Sequence, residues 1–155
     1  MKKVCVWILC AAVCLSLMGC GNKETEPEAN TTGTKLLAEF KKGVKAGQDL
    51  AAVAEAMAEE SVSGYSCGTA EVTEGWLSGF SGEVTGFTKG YMIMPWIGTV
   101  PLVCYVFETE DPEALLQTLN DLADPRWNIC TEAEETVGEV VDGYVFFAMC
   151  PGEDF

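Results

Sequence analysis

The chain has 155 residues, of which 24 are acidic, 9 are basic and none is histidine, and its formal net charge is −15. A surface this acidic is repelled by phosphate backbones, which argues against nucleic-acid binding. Without histidine the chain cannot form Ser-His-Asp or Cys-His nucleophiles or His-ligated zinc and haem sites, and no cofactor is predicted.

The amino terminus is typical of a secretory leader. Lys2 and Lys3 precede an uncharged segment that runs from Val4 to Met18. This segment is shorter than the roughly 18 apolar residues that a membrane-spanning helix needs. Residues 1–19 are therefore predicted to be a removable signal peptide rather than a transmembrane helix.

The leader ends in Leu17-Met18-Gly19-Cys20. This tetrapeptide resembles the lipobox of bacterial lipoproteins, with an aliphatic residue three positions before the cysteine and a small residue directly before it. The resemblance implies cleavage after Gly19 and lipidation of the Cys20 thiol, so that acyl chains such as palmitate hold the protein at the extracytoplasmic face of the cell membrane. The alternative is an ordinary secretory leader that happens to contain a cysteine.

A polar segment follows the proposed anchor. Apart from Pro27, the chain from Asn22 to Thr34 has no apolar side chain larger than that of Ala29. Such a segment cannot bury enough apolar surface to offset its ordering entropy. We therefore expect residues 20–34 to be the lipidated cysteine and a flexible tether, and residues 35–155 to be a single domain that is large enough to bury a core.

Three helices are predicted from apolar residues that recur at helical spacing. Thr34 is expected to cap the first helix, and the second is expected to run from Asp49 to Glu60. The third begins at Asp111-Pro112 and ends before Asp124-Pro125. The apolar faces consist of Leu36, Leu37, Phe40 and Val44 in the first helix, Leu50, Val53, Ala54 and Met57 in the second, and Leu115, Leu116, Leu119 and Leu122 in the third.

The strands are predicted mainly in the second half. Residues Val100 to Phe107 are apolar on both alternating faces, which favours a central strand covered from both sides or by a helix layer. A further strand is expected at Phe87 to Met94. Asp142-Gly143 between apolar runs predicts a type I′ hairpin whose second strand is Tyr144 to Met149. The predicted fold is α+β: a two-layer sandwich with a mainly antiparallel sheet of about four strands and two or three helices.

Four cysteines besides Cys20 remain after the leader, and they allow three disulfide pairings, none of which the sequence favours. They are Cys67, Cys104, Cys130 and Cys150. Export permits disulfides, but reduced thiols are equally compatible with the sequence, and without a C-x-x-C motif neither a zinc ribbon nor a thioredoxin-like site is indicated.

The charged residues form several groups. The acidic groups are Glu108, Glu110, Asp111 and Glu113, then Glu132, Glu134 and Glu135, then Glu153 and Asp154. They lack the spacing of a calcium-binding loop, so no metal site and no catalytic residue is predicted, and they are interpreted as a solvated surface. The basic group consists of Lys35, Lys41, Lys42 and Lys45. It is interpreted as the solvated face of the first helix or as a second contact with anionic headgroups.

Residues 64–98 combine many glycines with aromatic residues. Aromatic rings on loops suit apolar or sugar-face recognition, whereas the alternative is that they cover one end of a small core. Trp76 and Trp96, flanked by Gly or Pro, are expected to be the exposed pair. Together with Tyr91 they are the predicted ligand-binding residues.

The functional prediction is a cell-envelope lipoprotein with a non-catalytic binding or accessory role, whose partner is an unknown ligand or envelope protein. The alternatives are a carboxylate-dependent enzyme acting on cell wall or polysaccharide, and a structural partner of another envelope protein, which should expose an apolar patch on its sheet. Pro101 to Phe107 and Arg126-Trp127-Asn128-Ile129-Cys130 resemble segments of uncharacterised small lipoproteins of Gram-positive anaerobes. That resemblance implies no activity.

Overall fold

The computed structural model describes residues 31–152, which contain four helices and seven strands. The elements are α1 Thr32–Lys45, α2 Leu50–Ala58, α3 Glu60–Ser63, β1 Cys67–Val72, β2 Gly75–Trp76, β3 Glu83–Val84, β4 Lys89–Pro95, β5 Val103–Glu108, α4 Pro112–Leu122, β6 Glu135–Val141 and β7 Tyr144–Cys150. The predicted signal peptide, Cys20, most of the predicted tether and the acidic pair Glu153-Asp154 lie outside the described residues.

Five strands form one antiparallel sheet in the order β1-β4-β5-β7-β6, and β2 and β3 form a separate two-stranded sheet. The predicted α+β class with a mainly antiparallel sheet is thus confirmed, with one strand more than expected in the main sheet. β5 is the central strand, as its apolar residues on alternating faces predicted.

Both faces of the main sheet are covered, because β5 and β7 place large apolar side chains on each side. One face packs against α1 and α2, and its core includes Leu36, Phe40 and Phe146. The other packs against α4 and the segment that contains β2 and β3, and its core includes Phe80 and Phe147. The neighbours Phe146 and Phe147 are therefore both fully buried, on opposite faces.

The first helix begins earlier than the sequence predicted. Thr31, not Thr34, is the N-cap, and the two threonines form a capping box in which each side chain accepts a hydrogen bond from the other's backbone N–H. Glu135 at the start of β6 adds to this, since it accepts a hydrogen bond of 2.9 Å from the Thr31 hydroxyl and one of 3.2 Å from the Gly33 N–H. The last residues of the predicted tether thus belong to the domain.

The other two predicted helices are present. Asp49 caps α2 through the Ala51 N–H, but the predicted helix is interrupted at Glu59, whose extended backbone separates α2 from the single turn of α3. Asp111 caps α4 through the Ala114 N–H, and proline occupies the first turn as expected.

The β6–β7 hairpin turns at Asp142 and Gly143, which have φ values of 50° and 86°. Positive φ at both positions is the type I′ geometry that the sequence predicted. We expect Gly143→Ala to lower the free energy of unfolding by about 1–2 kcal/mol, because alanine is strained in the left-handed region while a Cβ here meets no neighbour. Urea unfolding measures the change. Asp142→Asn is the control and should have little effect, since asparagine tolerates this region; equal losses in the two variants would contradict the assigned turn.

Neighbouring strands of the main sheet are antiparallel, so strand starts and strand ends alternate along each end of the sheet. At one end of the sheet, the last residues of β4 and β7 lie beside the first residues of β1, β5 and β6. The pairs that show this are Cys67–Pro95, Ile93–Cys104, Val103–Met149 and Glu135–Cys150. The described chain also starts at this end of the sheet, because the Thr31 hydroxyl donates a hydrogen bond to Glu135 at the start of β6.

Candidate functional site

An exposed apolar surface lies at this end of the sheet. Of the five large apolar side chains that are exposed among residues 31–152, four are here: Met94 (36%), Trp96 (76%), Ile97 (66%) and Ile129 (99%). We call these four residues, with the half-buried Trp127 beside them, the apolar end surface. Isolated exposed apolar residues are common on proteins, whereas a group of them makes this end of the sheet a candidate interaction surface.

The end of β4 positions Trp96. The Trp96 N–H donates a hydrogen bond of 3.0 Å to the Ser66 carbonyl, which continues the β1–β4 pairing by one step. The indole ring lies against Gly68 of β1 so closely that a Cβ added there would come within 2.5 Å of it. Gly68 therefore provides the space in which the ring rests on the sheet.

Ile129 is brought to the surface by contacts between two loops. The Asn128 side-chain amide donates hydrogen bonds to the Gly98 carbonyl at 2.9 Å and to the Val100 carbonyl at 3.3 Å. The Thr131 hydroxyl donates one of 2.7 Å to the Thr99 carbonyl. These bonds hold the loop after α4 against the loop after β4, so that residues far apart in sequence share one surface.

Two shallow depressions, of about 370 and 320 Å³, adjoin each other on this surface and share Met94, Pro95 and Gly98. None of the residues that line them is charged. They are Gly68, Thr69, Ala70, Met92, Met94, Pro95, Trp96, Gly98, Val100, Leu102, Trp127, Asn128, Ile129 and Cys130.

The charged residues nearest to Ile129 in the sequence are Arg126 and Glu132. They form an ion pair of 3.1 Å and so neutralise each other. In a chain with a net charge of −15, an uncharged lining sets this surface apart. A partner that makes apolar contacts can approach it without desolvating a carboxylate.

Of the three predicted ligand-binding residues, only Trp96 belongs to the apolar end surface. Trp76 is 70% exposed, as predicted, but it lies on the two-stranded β2–β3 sheet and lines neither depression. Tyr91 packs against the core under α1 and α2, with Lys89 Nζ 5.5 Å from its ring centre. Side chains alternate along β4, so Tyr91 points to the opposite face of the sheet from Met92 and Met94. The three predicted ligand-binding residues therefore do not form one site.

The segment 64–98, expected to be aromatic loops around one strand, contains four strands. Its phenylalanines Phe80 and Phe87 are buried in the second core, while Trp76 and Trp96 are exposed. The core interpretation thus holds for Phe80 and Phe87, while Trp76 and Trp96 are exposed as predicted and their role in ligand recognition stays a prediction. Sequence reasoning did not find Ile97 and Ile129, because nothing in the sequence indicates that their two loops meet.

Several of the charged residues have structural partners. The Asp111 carboxylate caps α4, and Glu135 holds the start of α1. Among residues 31–152 no group of three acidic or cysteine side chains is arranged to hold a metal ion. Lys41 and Lys42, considered as headgroup contacts, form ion pairs with Glu139 at 2.8 Å and Glu39 at 2.9 Å.

The four cysteines of the described part carry free thiols. Burial, followed by the nearby Cys150 and Cys67, raises the pKa of Cys104 well above its usual value. Burial, followed by the Glu135 carboxylate 3.5 Å from its sulfur, raises the pKa of Cys150. Burial also raises the pKa of the half-buried Cys67, whereas Cys130 is exposed.

These environments predict the order in which the thiols react. At about pH 8, where an ordinary thiol is partly ionised, we expect iodoacetamide to modify Cys130 quickly and Cys67 slowly. Cys104 and Cys150 should react only after unfolding in urea, because they are buried and remain protonated. Mass spectrometry of the alkylated peptides measures the four rates. Native modification of Cys150 as fast as that of Cys130 would contradict its burial.

No protein-family model, no curated protein and no solved structure matches this chain. None of the helices between residues 31 and 152 is long and apolar enough to cross a membrane.

Proposed function

We propose that this protein is an extracytoplasmic lipoprotein, anchored to the cell membrane through acylated Cys20, with a non-catalytic binding or accessory role that it performs through the apolar end surface. The observation that carries the binding role is that Trp96 and Ile129 line two adjoining uncharged depressions, next to the exposed Ile97, on an otherwise acidic protein.

The energetics favour a partner at this surface. Covering a fully exposed isoleucine contributes about 1.5–3 kcal/mol, and Ile129 is almost completely exposed. Trp96 adds a large rigid ring that loses little entropy on binding. The surface therefore gains free energy from any apolar cover that fits it.

The lining of the depressions favours binding over carboxylate-dependent catalysis. Glycoside cleavage needs two carboxyl groups on either side of the bond to be broken. The residues that line the two depressions include neither Asp nor Glu. A substrate seated there would find no carboxyl group among them to act as acid or base.

The anchor is tested by exchanging Cys20, and as a control a cysteine of the leader, in the cells that make the protein. Wild-type protein should stay in the membrane fraction after high-salt and carbonate washes and should enter the detergent phase of Triton X-114. Cys20→Ala should accumulate as an uncleaved precursor without lipid. Cys14→Ala, within the apolar segment of the leader, is the matched control and should be processed like wild type. Normal processing of Cys20→Ala would contradict the anchor.

The binding role is tested by hydroxyl-radical footprinting. Trp96 and Trp76 have similar exposure, so they should be oxidised at similar rates in detergent-extracted protein. In native membranes Trp96 should be protected and Trp76 should not. Equal oxidation of the two in native membranes would contradict an occupied end surface. Loss of an activity on exchange of a single Asp or Glu would favour the enzyme instead.

A further inference from the structure

We propose that the apolar end surface rests on the same bilayer that holds acylated Cys20, so that the domain docks on the membrane by the end of its sheet where the described chain begins. The inference rests on the proposed lipid anchor and names the partner of the proposed binding surface.

The position of the chain start supports this orientation. Thr31 is hydrogen-bonded to Glu135, and Glu135 lies opposite Cys150 in the β6–β7 pairing, at the end of β7. Trp96 follows the end of β4, which lies on the same side of the sheet. The segment that leads to Cys20 therefore leaves the domain at the end that carries the apolar surface.

The length of chain between anchor and domain limits their separation. Ten residues lie between Cys20 and Thr31, and even fully extended the roughly eleven Cα–Cα steps that join the two span no more than about 40 Å. The five-stranded sheet is about 19 Å wide, since neighbouring strands lie about 4.8 Å apart. Both edges of this end are consequently within reach of the membrane whenever Cys20 is acylated.

The chemistry of the surface suits a lipid interface. Tryptophan prefers the boundary between headgroups and acyl chains, and isoleucine prefers the acyl chains. Most of an acidic protein is repelled by anionic headgroups. The lining of the two depressions is uncharged and Arg126 and Glu132 are paired beside it, so this part of the end can approach headgroups, whereas the exposed Glu134 lies toward the β6–β7 edge of the same end.

The experiment uses the lipidated full chain reconstituted into phosphatidylcholine vesicles whose acyl chains carry bromine, which quenches tryptophan at short range. Trp76→Phe keeps Trp96, and Trp96→Phe keeps Trp76 as the matched exposed ring. The quenched fraction of the fluorescence should be higher in Trp76→Phe than in wild type, because the unquenched Trp76 no longer contributes to the emission. In Trp96→Phe most of the quenching should be lost, with a remainder from the half-buried Trp127.

A second variant makes the test independent of removing a tryptophan. Ile97→Asp combined with Ile129→Asp adds two charges at exposed positions, so the thermal unfolding midpoint should change little. Quenching of Trp96 should be lost while the protein stays bound to the vesicles through its lipid.

A dimeric state that persists in the vesicles and shields Trp96 from bromine would assign the surface to a second copy and overturn the proposal.

The outcomes separate the inference from the proposed function. If the lipidated chain binds vesicles but Trp96 is not quenched, membrane docking is wrong and the anchor stands. If Cys20 carries no lipid in the producing cell, the proposed function fails and the docking fails with it. If Trp96 is protected in native membranes but not in pure lipid, the partner is an envelope protein and the docking is overturned.

Discussion

Replacing Phe146 or Phe147 by alanine should lower the free energy of unfolding by about 3–5 kcal/mol in each case. Both side chains are fully buried, although consecutive residues of a strand point to opposite faces. Phe146 packs against Phe40 of α1 with ring centres 5.6 Å apart, and Phe147 packs against Phe80 at 5.5 Å. Two large losses are expected only if each face of the sheet is covered.

Denaturant titrations of the two variants provide the measurement. Phe146→Leu and Phe147→Leu are the controls, and they should lose less because most of the buried volume remains. A loss below about 0.5 kcal/mol for one alanine variant, as at a solvent-exposed position, would show that its face is open. The packing described for that face, against α1 and α2 or against α4 and the β2–β3 segment, would then be wrong.

Phe40→Ala should also lower the free energy of unfolding by about 3–5 kcal/mol, because Phe40 is the largest side chain that α1 buries against the sheet. Val44→Ala, one turn later, should lose about 1 kcal/mol, since Val44 is only half-buried and two methyl groups are removed. Thermal or urea unfolding of the two variants measures the difference.

The comparison tests a distinction that the sequence could not make. Helical spacing assigns Leu36, Leu37, Phe40 and Val44 to one face without ranking them. In the structure Leu36 and Phe40 are completely buried, whereas Leu37 and Val44 lie at the margin of the core. Equal losses in Phe40→Ala and Val44→Ala would contradict the full burial of Phe40 and the marginal position of Val44.

Local signals in the sequence predicted the parts of the fold that depend on local chemistry. The Asp111-Pro112 start of α4 and the Asp142-Gly143 turn follow from the backbone preferences of those residues. β5 was predicted as central because its apolar residues lie on both faces. These elements needed no knowledge of their neighbours.

Elements that depend on distant contacts were missed. β1, with the sequence CGTAEV, has no clear apolar alternation and is an edge strand. β2 and β3 have two residues each. Phe80, Val84 and Phe87 cover the second face and have helix-like spacing, but the glycine-rich segment that carries them forms no helix. Tertiary packing, not local propensity, determines these parts.

For the candidate site too, the sequence predicted the part that depends on local chemistry and missed the part that depends on distant contacts. Exposure of Trp96 follows from its position between Pro95 and Gly98. Ile129 joins it only because the Asn128 amide bonds to the carbonyls of Gly98 and Val100, a contact across about thirty residues. The side on which Tyr91 lies depends on the register of β4 with β5, which the sequence does not specify.

The proposed anchor and the docked end surface share one requirement, a lipid on the sulfur of residue 20. Intact-mass and amino-terminal peptide mass spectrometry of protein extracted from the producing cell measures it directly. A lipid-anchored domain predicts a chain that starts at Cys20 and carries a diacylglyceryl group on its thiol. A chain that still begins at Met1, or that begins at Cys20 with an unmodified thiol, would contradict it.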